Sequence, residues 1–476
     1  MFLNILTYEF KLLSRSKWLL ILFFTIALLI GFASLNGSKN VDKRLADIKE
    51  VEQEFFQKDS IMLGTLKKIE NGETVALPYW QLPSQPMTVG NRYPRLAIMH
   101  PETLSFIATG QSDMYSHFIS PKVYGNNFAL DYSEMINPVQ LLFGNFDIAF
   151  VLIYIIPLLI IAFTYNVLSK EKELGTLPLL ASQPISTHWW LLQKMIIRFI
   201  IFTTLTILAL ILAIAVFSLE GLTNVNGLLG LLLLITSYNF FWFAIAYIVN
   251  IKINDSSKNA LTLIGFWLLL VLVIPATINQ IGNTLYPTPS RLKMINEIRF
   301  IKKENEEQQN EIMDAYLRNH PELAQGREKE QFGFWHNYFA SEKVMEEKTK
   351  PLLLAYDMQL KKQQGLLMTF KFLSPAIVMQ QALNKVSASS ELHYNDFKKQ
   401  VFEFSKQWRN YLTPMLFKEQ MFTVKNYNEL PAFMYENRIK NDIWVNTLII
   451  FMISGLVLLS TTSKRLGNKS DQRLLE

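Results

Sequence analysis

The densest chemistry in the sequence lies at residues 169–194. There Lys170, Glu171, Lys172 and Glu173 alternate in sign and are followed by Gly175, Thr176, Leu177, Leu179 and Leu180. Carboxylates and ammoniums beside leucines suit recognition rather than covalent catalysis. Two readings stay open: a small amphipathic helix against a membrane face, able to meet a soluble partner, or a solvated connector. Gly175 supplies a turn, Pro184 breaks the leucine run, and a new helix begins near Trp189.

Other reactive residue types are scattered. None of the six histidines has the H-E-x-x-H spacing of a metalloprotease. His320 and His336 could bind a transition metal, but without carboxylates at ligand spacing they read as surface residues. The chain has no cysteine, which excludes disulfides and thiolate chemistry. No Gly-Lys pair occurs, so the phosphate loop of a nucleotide hydrolase is absent, as is a G-x-S-x-G elbow. The expectation is therefore no enzyme and no catalytic, cofactor or metal residues. Any nucleotide hydrolysis would belong to a separate polypeptide.

Half of the 476 residues are hydrophobic and they gather in long runs. Several runs reach the roughly 20 apolar residues that cross a hydrocarbon core, so the chain reads as an integral membrane protein. Its net charge of +6 is spread along the chain and beside the apolar runs, a pattern that argues for membrane topology and against nucleic acid.

Residues 1–17 carry Leu3, Leu6, Phe10 and Leu13 at helical spacing, with Glu9, Lys11, Arg15 and Lys17 expected on other faces, as in a helix lying in the membrane plane. A first span is expected over 18–35. Ala33-Ser34 could end a signal peptide, but the apolar run is longer than a signal core and follows an amphipathic arm, so the span is read as retained. Residues 36–145 read as an extracytoplasmic domain, helical over Asp42–Lys58 and irregular over Leu77–Tyr124. The second span, 146–168, is expected to kink at Pro157. After the loop at 169–194 come spans at 195–217, 226–250 and 260–282, the last with Pro275 near its outer end. A second extracytoplasmic domain is expected over 283–441, with charged helices at Arg299–Arg318 and Glu328–Lys362 that lack coiled-coil heptads. A sixth span at 443–463 and a basic tail at 464–476 complete the chain.

Orientation follows from the cations in short loops. Lys11, Arg15 and Lys17; Lys170, Lys172 and Lys194; Lys252 and Lys258; and Lys464, Arg465, Lys469 and Arg473 all fall on one side. The opposite short loop, Ser218–Val225, holds Glu220 and no cation. Both termini and the loop at 169–194 are thus expected in the cytoplasm and both inserts outside. Tyr154, Thr164, Tyr165 and Asn166 on the second span, with Tyr238, Asn239, Trp242, Tyr247 and Asn250 on the fourth, would serve helix or dimer contacts, or line a substrate path. Arg198 is the one charge deep in a span, which weighs against an ion-coupled carrier.

Glu171, Glu173, Gly175, Thr176 and Leu177, followed by Leu179-Leu180, Pro184-Ile185 and Lys194, resemble the E-x-E-x-G-T-L…L-x-x-P-[IV]-S…K segment of permease subunits of type-2 ATP-binding-cassette exporters. The large inserts are similar to those of a subfamily with a domain of unknown function in that position. Asn137-Pro138, Leu141-Leu142-Phe143-Gly144-Asn145-Phe146-Asp147 and Leu373-Ser374-Pro375-Ala376 carry that likeness. The resemblance implies an all-α polytopic membrane protein of six transmembrane helices, with an N-terminal amphipathic elbow helix and two mainly helical extracytoplasmic inserts. It implies a bacterial cytoplasmic (inner) membrane and a homodimer or a pair with a sister permease. It also implies a separate ATPase subunit, which would hold ATP and Mg and grip the loop. The acidic residues would then meet basic groups of the ATPase, while Leu177, Leu179 and Leu180 would fill an apolar cleft. Two alternatives are an ATPase-driven mechanotransmitter that moves no cargo and a membrane-anchored receptor or scaffold.

Overall fold

The computed structural model describes residues 2–110, 112, 115–123, 145–178, 186–307, 318, 334–440 and 442–462. The protein is an α-helical integral membrane protein. Five of its helices are long and apolar enough to cross a bilayer. They are α2 (Trp18–Glu70), α4 (Ile148–Glu173), α5 (Thr187–Phe217), α6 (Val225–Lys252) and α7 (Ser256–Leu285). Ahead of them lies α1 (Phe2–Arg15), and α3 (Pro86–Arg92) belongs to the first insert. The second insert contributes α8 (Arg291–Glu307), α9 (Phe334–Phe370), α10 (Pro375–Val386), α11 (Glu391–Phe417) and α12 (Val424–Asn428). A shorter apolar helix, α13 (Ile443–Thr462), follows.

The expected boundary between a span ending at residue 35 and a domain starting at 36 does not exist as a break, because α2 runs unbroken for 53 residues. No proline interrupts it, and the chain changes from apolar to charged after Leu35 while keeping helical phase. At ~1.5 Å per residue the helix is about 80 Å long, against a hydrocarbon core of about 30 Å, so it continues far beyond the bilayer. It ends where Gly72 takes φ +79° and the Gly72 and Glu73 amides bond the carbonyls of Ile69 and Lys68. Along its course Gly37 passes so close to Phe106 that a Cβ there would sit 2.1 Å from the Phe106 carbonyl oxygen; only glycine permits this approach.

The other limits also move. Helix α5 starts at Thr187, inside the stretch 169–194 and two residues before the expected Trp189, capped by the Ser186 hydroxyl accepting from the Trp189 amide. Helix α7 starts at Ser256, earlier than the expected 260, because Asp255 caps it by accepting from the Lys258 amide.

Helix α6 forms the centre of the bundle. In its apolar stretch 67% of the residues are buried, against 28% in α2 and 17% in α7. Tyr238, Phe241 and Trp242 fill the core around it. Helix α13 packs along α6 through buried Ile443 and Ile450 and an aromatic contact between Phe240 and Phe451.

Two spans are interrupted in the same way. In α4 the segment Val151–Ile155 widens into a π-turn ahead of Pro157, and in α7 Leu268–Val273 does so ahead of Pro275. Proline has no N–H to return to the preceding turn, so carbonyls are freed at membrane depth and need other donors. The Tyr238 hydroxyl donates to the Ile153 carbonyl at 3.0 Å, and Trp267 Nε1 to that of Tyr154 at 3.1 Å. In α7 the Ser374 hydroxyl, from the second insert, donates to the Leu270 carbonyl at 2.5 Å.

The two inserts share their cores and form one body, where separate domains were expected. Met62, Leu66, Met87 and Val89 of the first pack with Trp408, Leu412 and Phe422 of the second. A two-stranded antiparallel ribbon, β1 (Ala97–Ile98) with β2 (Phe118–Ile119), pairs Ala97 with Ile119 and Ile98 with Phe118. It packs on Phe397, Val401 and Phe404 of α11. Trp408 is fully buried, and its Nε1 donates to the Gly90 carbonyl at 3.2 Å. Truncating such a side chain to alanine typically costs ~3–5 kcal/mol. Arg95 bonds Asp59 at 3.1 Å, and the Tyr427 hydroxyl donates to the same carboxylate. At the bilayer edge Asp147 joins body to bundle by accepting from the amides of Thr109 and Phe150, each at 2.8 Å.

Candidate functional site

After Thr164 the second span relaxes into a turn and closes on a five-residue helix, Ser169–Glu173. Gly175 ends it with φ +71°. The Gly175 amide bonds the Lys172 carbonyl and the Thr176 amide bonds that of Glu171, each at 3.0 Å, so the free carbonyls of the last turn are satisfied. A side chain at 175 would strain this left-handed turn, which is why glycine stands there.

Of the expected site residues, Glu171, Glu173, Gly175, Thr176 and Leu177 come together in this turn, while Leu179 and Leu180 lie outside the described residues. The two acids differ in exposure: Glu171 is partly buried, whereas Glu173 stays exposed. Glu171 accepts from the Thr176 hydroxyl at 2.5 Å and from Lys194 Nζ at 3.4 Å. Glu173 accepts from the Ser256 amide at 3.0 Å, at the start of α7. Leu177 is buried in this chain's own core. The outward surface is Lys170, Glu173, Leu174, Gly175 and Pro178, with Leu174 64% exposed.

Behind Glu171 lies a buried ion cluster. Trp190, Lys194 and Arg198 follow one another at four-residue steps on one face of α5. Glu9 of α1 is fully buried against that face. Arg198 bonds one Glu9 oxygen through Nη2 at 2.7 Å and Nε at 2.8 Å, and its Nη1 donates to the Phe163 carbonyl at 2.6 Å. Lys194 Nζ stands 3.5 Å from the other Glu9 oxygen, near enough for charge attraction but too poorly aligned for a hydrogen bond. Lys194 also lies 4.1 Å from the Trp190 ring centre. The two acids and two bases cancel in charge, which buried ions require.

The expectation that Glu9 sits away from the packed face of α1 is overturned. Glu9 and Leu13 face the bundle, while Tyr8 and Phe10 are 62% and 52% exposed. The signals were a carboxylate within one turn of Leu6 and Leu13, and a Lys–Arg pair four residues apart at the start of a span.

The second arm of the loop reaches α6 and α7. The Ser169 and Ser256 hydroxyls are 2.8 Å apart, and Asn259 Nδ2 lies 3.5 Å from the Ser169 oxygen. Asn250 donates to the Thr164 carbonyl at 3.0 Å and accepts from the Leu168 amide at 3.4 Å. One short turn therefore touches α5 on one side, where Lys194 links it to Glu9 of α1, and the α6–α7 junction on the other. Among its described residues there is no nucleophile–base pair. Of the two histidines weighed as metal ligands and read as surface residues, His320 lies outside the described residues and His336 stands in α9 with its side chain outside them.

Residues 291–436, from α8 through the end of α12 into the strap beyond it, match a family described as "Domain of unknown function (DUF3526)". The match lies in the outer body and excludes the loop. No curated protein and no solved structure matches the chain.

Proposed function

We infer that this chain is the membrane-spanning permease subunit of an ATP-binding-cassette exporter, in which a separate ATPase subunit binds ATP and Mg and drives transport. The observation that carries the reading is the turn at Ser169–Leu177. It is braced to α5 and α1 through Glu171, Lys194 and Glu9, and to α7 through Glu173 and Ser256. A push on the exposed Leu174–Gly175 knuckle would be transmitted at once to opposite sides of the bundle. In this reading α13 is the sixth span; its 20 residues span about 30 Å, the thickness of the hydrocarbon core. The loop and termini face the cytoplasm of a bacterial inner membrane, and the fused inserts face outside. The thinly buried faces of α2 and α7 meet lipid and a second protomer, identical or sister.

One observation favours a second reading, mechanotransmission without cargo. Helix α2 is continuous from the elbow side of the bundle into the outer body, so motion at α1 would reach that body along a single rod.

The test is co-expression with a cassette ATPase that copurifies with the chain. Leu174→Asp changes only the outward surface and is expected to abolish copurification while the chain still inserts and melts as the parent does. Glu171→Gln, which loosens the internal brace, is expected to leave copurification intact and lower ATP-driven turnover. Undiminished copurification of Leu174→Asp would overturn the assignment.

A further inference from the structure

Between the two proline-interrupted spans and the underside of the outer body lies a cavity of about 360 Å³. Its floor is apolar, built from Ile153, Val271, Pro275, Leu367 and Ile377. Its polar lining holds four amides, Gln364 of α9 and Gln380, Gln381 and Asn384 of α10, beside Ser389, Ser390, Lys385 and Glu391. Gln380 donates to Asn384 at 2.8 Å, whereas the half-buried side chains of Gln364 and Gln381 have no partner among the described residues. Two half-buried amides whose donors and acceptors stay accessible beside one apolar chamber can offer hydrogen bonds to a ligand's head.

Charge at the rim is low. Lys385 is held by Asp442 at 2.6 Å, and Glu391 stands in the first turn of α11, where the positive end of the helix dipole offsets it. Beside the chamber, the α9–α10 corner exposes Met368, Phe370, Phe372 and Leu373, each at least 40%. An apolar apron at the bilayer edge gives access from lipid rather than from water. The π-turns widen both spans at the level of the floor, and such interruptions recur at functional sites.

We propose that this chamber binds a single-chain amphiphile with an uncharged, hydrogen-bonding head, its chain among Ile153, Val271 and Ile377 and its head against Gln364 and Gln381. The volume is near the lower end for small-ligand pockets, which suits a single chain. The proposal requires only that the chain sit in a membrane, and it is independent of any ATPase.

The test uses the full chain in phosphatidylcholine nanodiscs with a monoacylglycerol carrying a diazirine in its acyl chain. The expected result is saturable photolabelling that maps to residues 364–392 and is displaced by unlabelled monoacylglycerol. At the same concentration, lysophosphatidate and an alkylammonium should not displace it. Gln364→Leu with Gln381→Leu should weaken labelling by about tenfold, the worth of two lost hydrogen bonds, without lowering the melting temperature. Ile377→Trp, which fills the chamber, should abolish it. Unsaturable labelling, labelling spread over α2 and α7, equal displacement by the charged amphiphiles, or unchanged affinity in the double Gln variant would each overturn the proposal. If Ile377→Trp does not fold, the double Gln variant alone decides.

Discussion

Glu9 in α1 and Arg198 in α5 form a buried ion pair at 2.7 Å across 189 residues of sequence. The pair fixes the elbow helix to the span that follows the loop, so α1 is part of the bundle rather than a loose amphipathic arm.

Removing one member leaves the other charge buried without its partner. Glu9→Gln or Arg198→Met should each destabilise the protein by ~3–5 kcal/mol, whereas Glu9→Leu with Arg198→Met should recover much of that loss. Thermal unfolding in detergent gives the comparison. A double variant as damaged as the sum of the singles would mean the pair does not exist.

The proline interruption of α4 predicts a different coupling. In Tyr238→Phe the Ile153 carbonyl loses its donor in a dry environment, at a cost of ~1–3 kcal/mol. Adding Pro157→Ala restores a backbone amide in the same turn and should reduce that cost. Additive effects of the two substitutions, measured by the same melts, would contradict the account of the freed carbonyl.

The outer body should be acid-sensitive. Burial and the neighbouring Arg44 push His117 down from 6.5 to about 3, against a hydrogen bond involving the Ser112 backbone. Burial and Lys385 push His393 down to about 4, against the pull of Asp396. At these two histidines the unfolded chain therefore binds more protons than the folded one between about 6.5 and 3, while buried Asp147, raised to about 6, works the other way. The histidines' contribution to stability is fully present above pH ~6.5 and falls as the pH drops through that window. Replacing both residues by Gln should flatten the dependence of the melting temperature on pH between 7 and 4. An unchanged slope would show that other groups govern it.

Much of the bundle was legible in the sequence, because apolar runs long enough to cross a bilayer have few alternative folds. The turn at Gly175 was legible for a related reason: a left-handed cap selects glycine. What stayed hidden was non-local. Met62 and Trp408 share one core across more than 300 residues, and nothing in either segment alone announces the other. Helix α2 was divided at residue 35 because hydropathy changes there while helical phase does not. The inward turn of Glu171 was hidden too, since its partner Lys194 stands on the next helix and spacing alone does not say which face of that helix meets the turn.

The central claim is that the knuckle at Leu174 faces the cytoplasm, where a separate ATPase can reach it. The chain has no cysteine, so Leu174→Cys provides a single thiol at an exposed position, and Met434→Cys, at an 82% exposed position on the outer body, provides the control. Treated with a membrane-impermeant maleimide on bacterial spheroplasts, Met434→Cys should label at once and Leu174→Cys only after permeabilisation. Labelling of Leu174→Cys on intact spheroplasts would contradict the account.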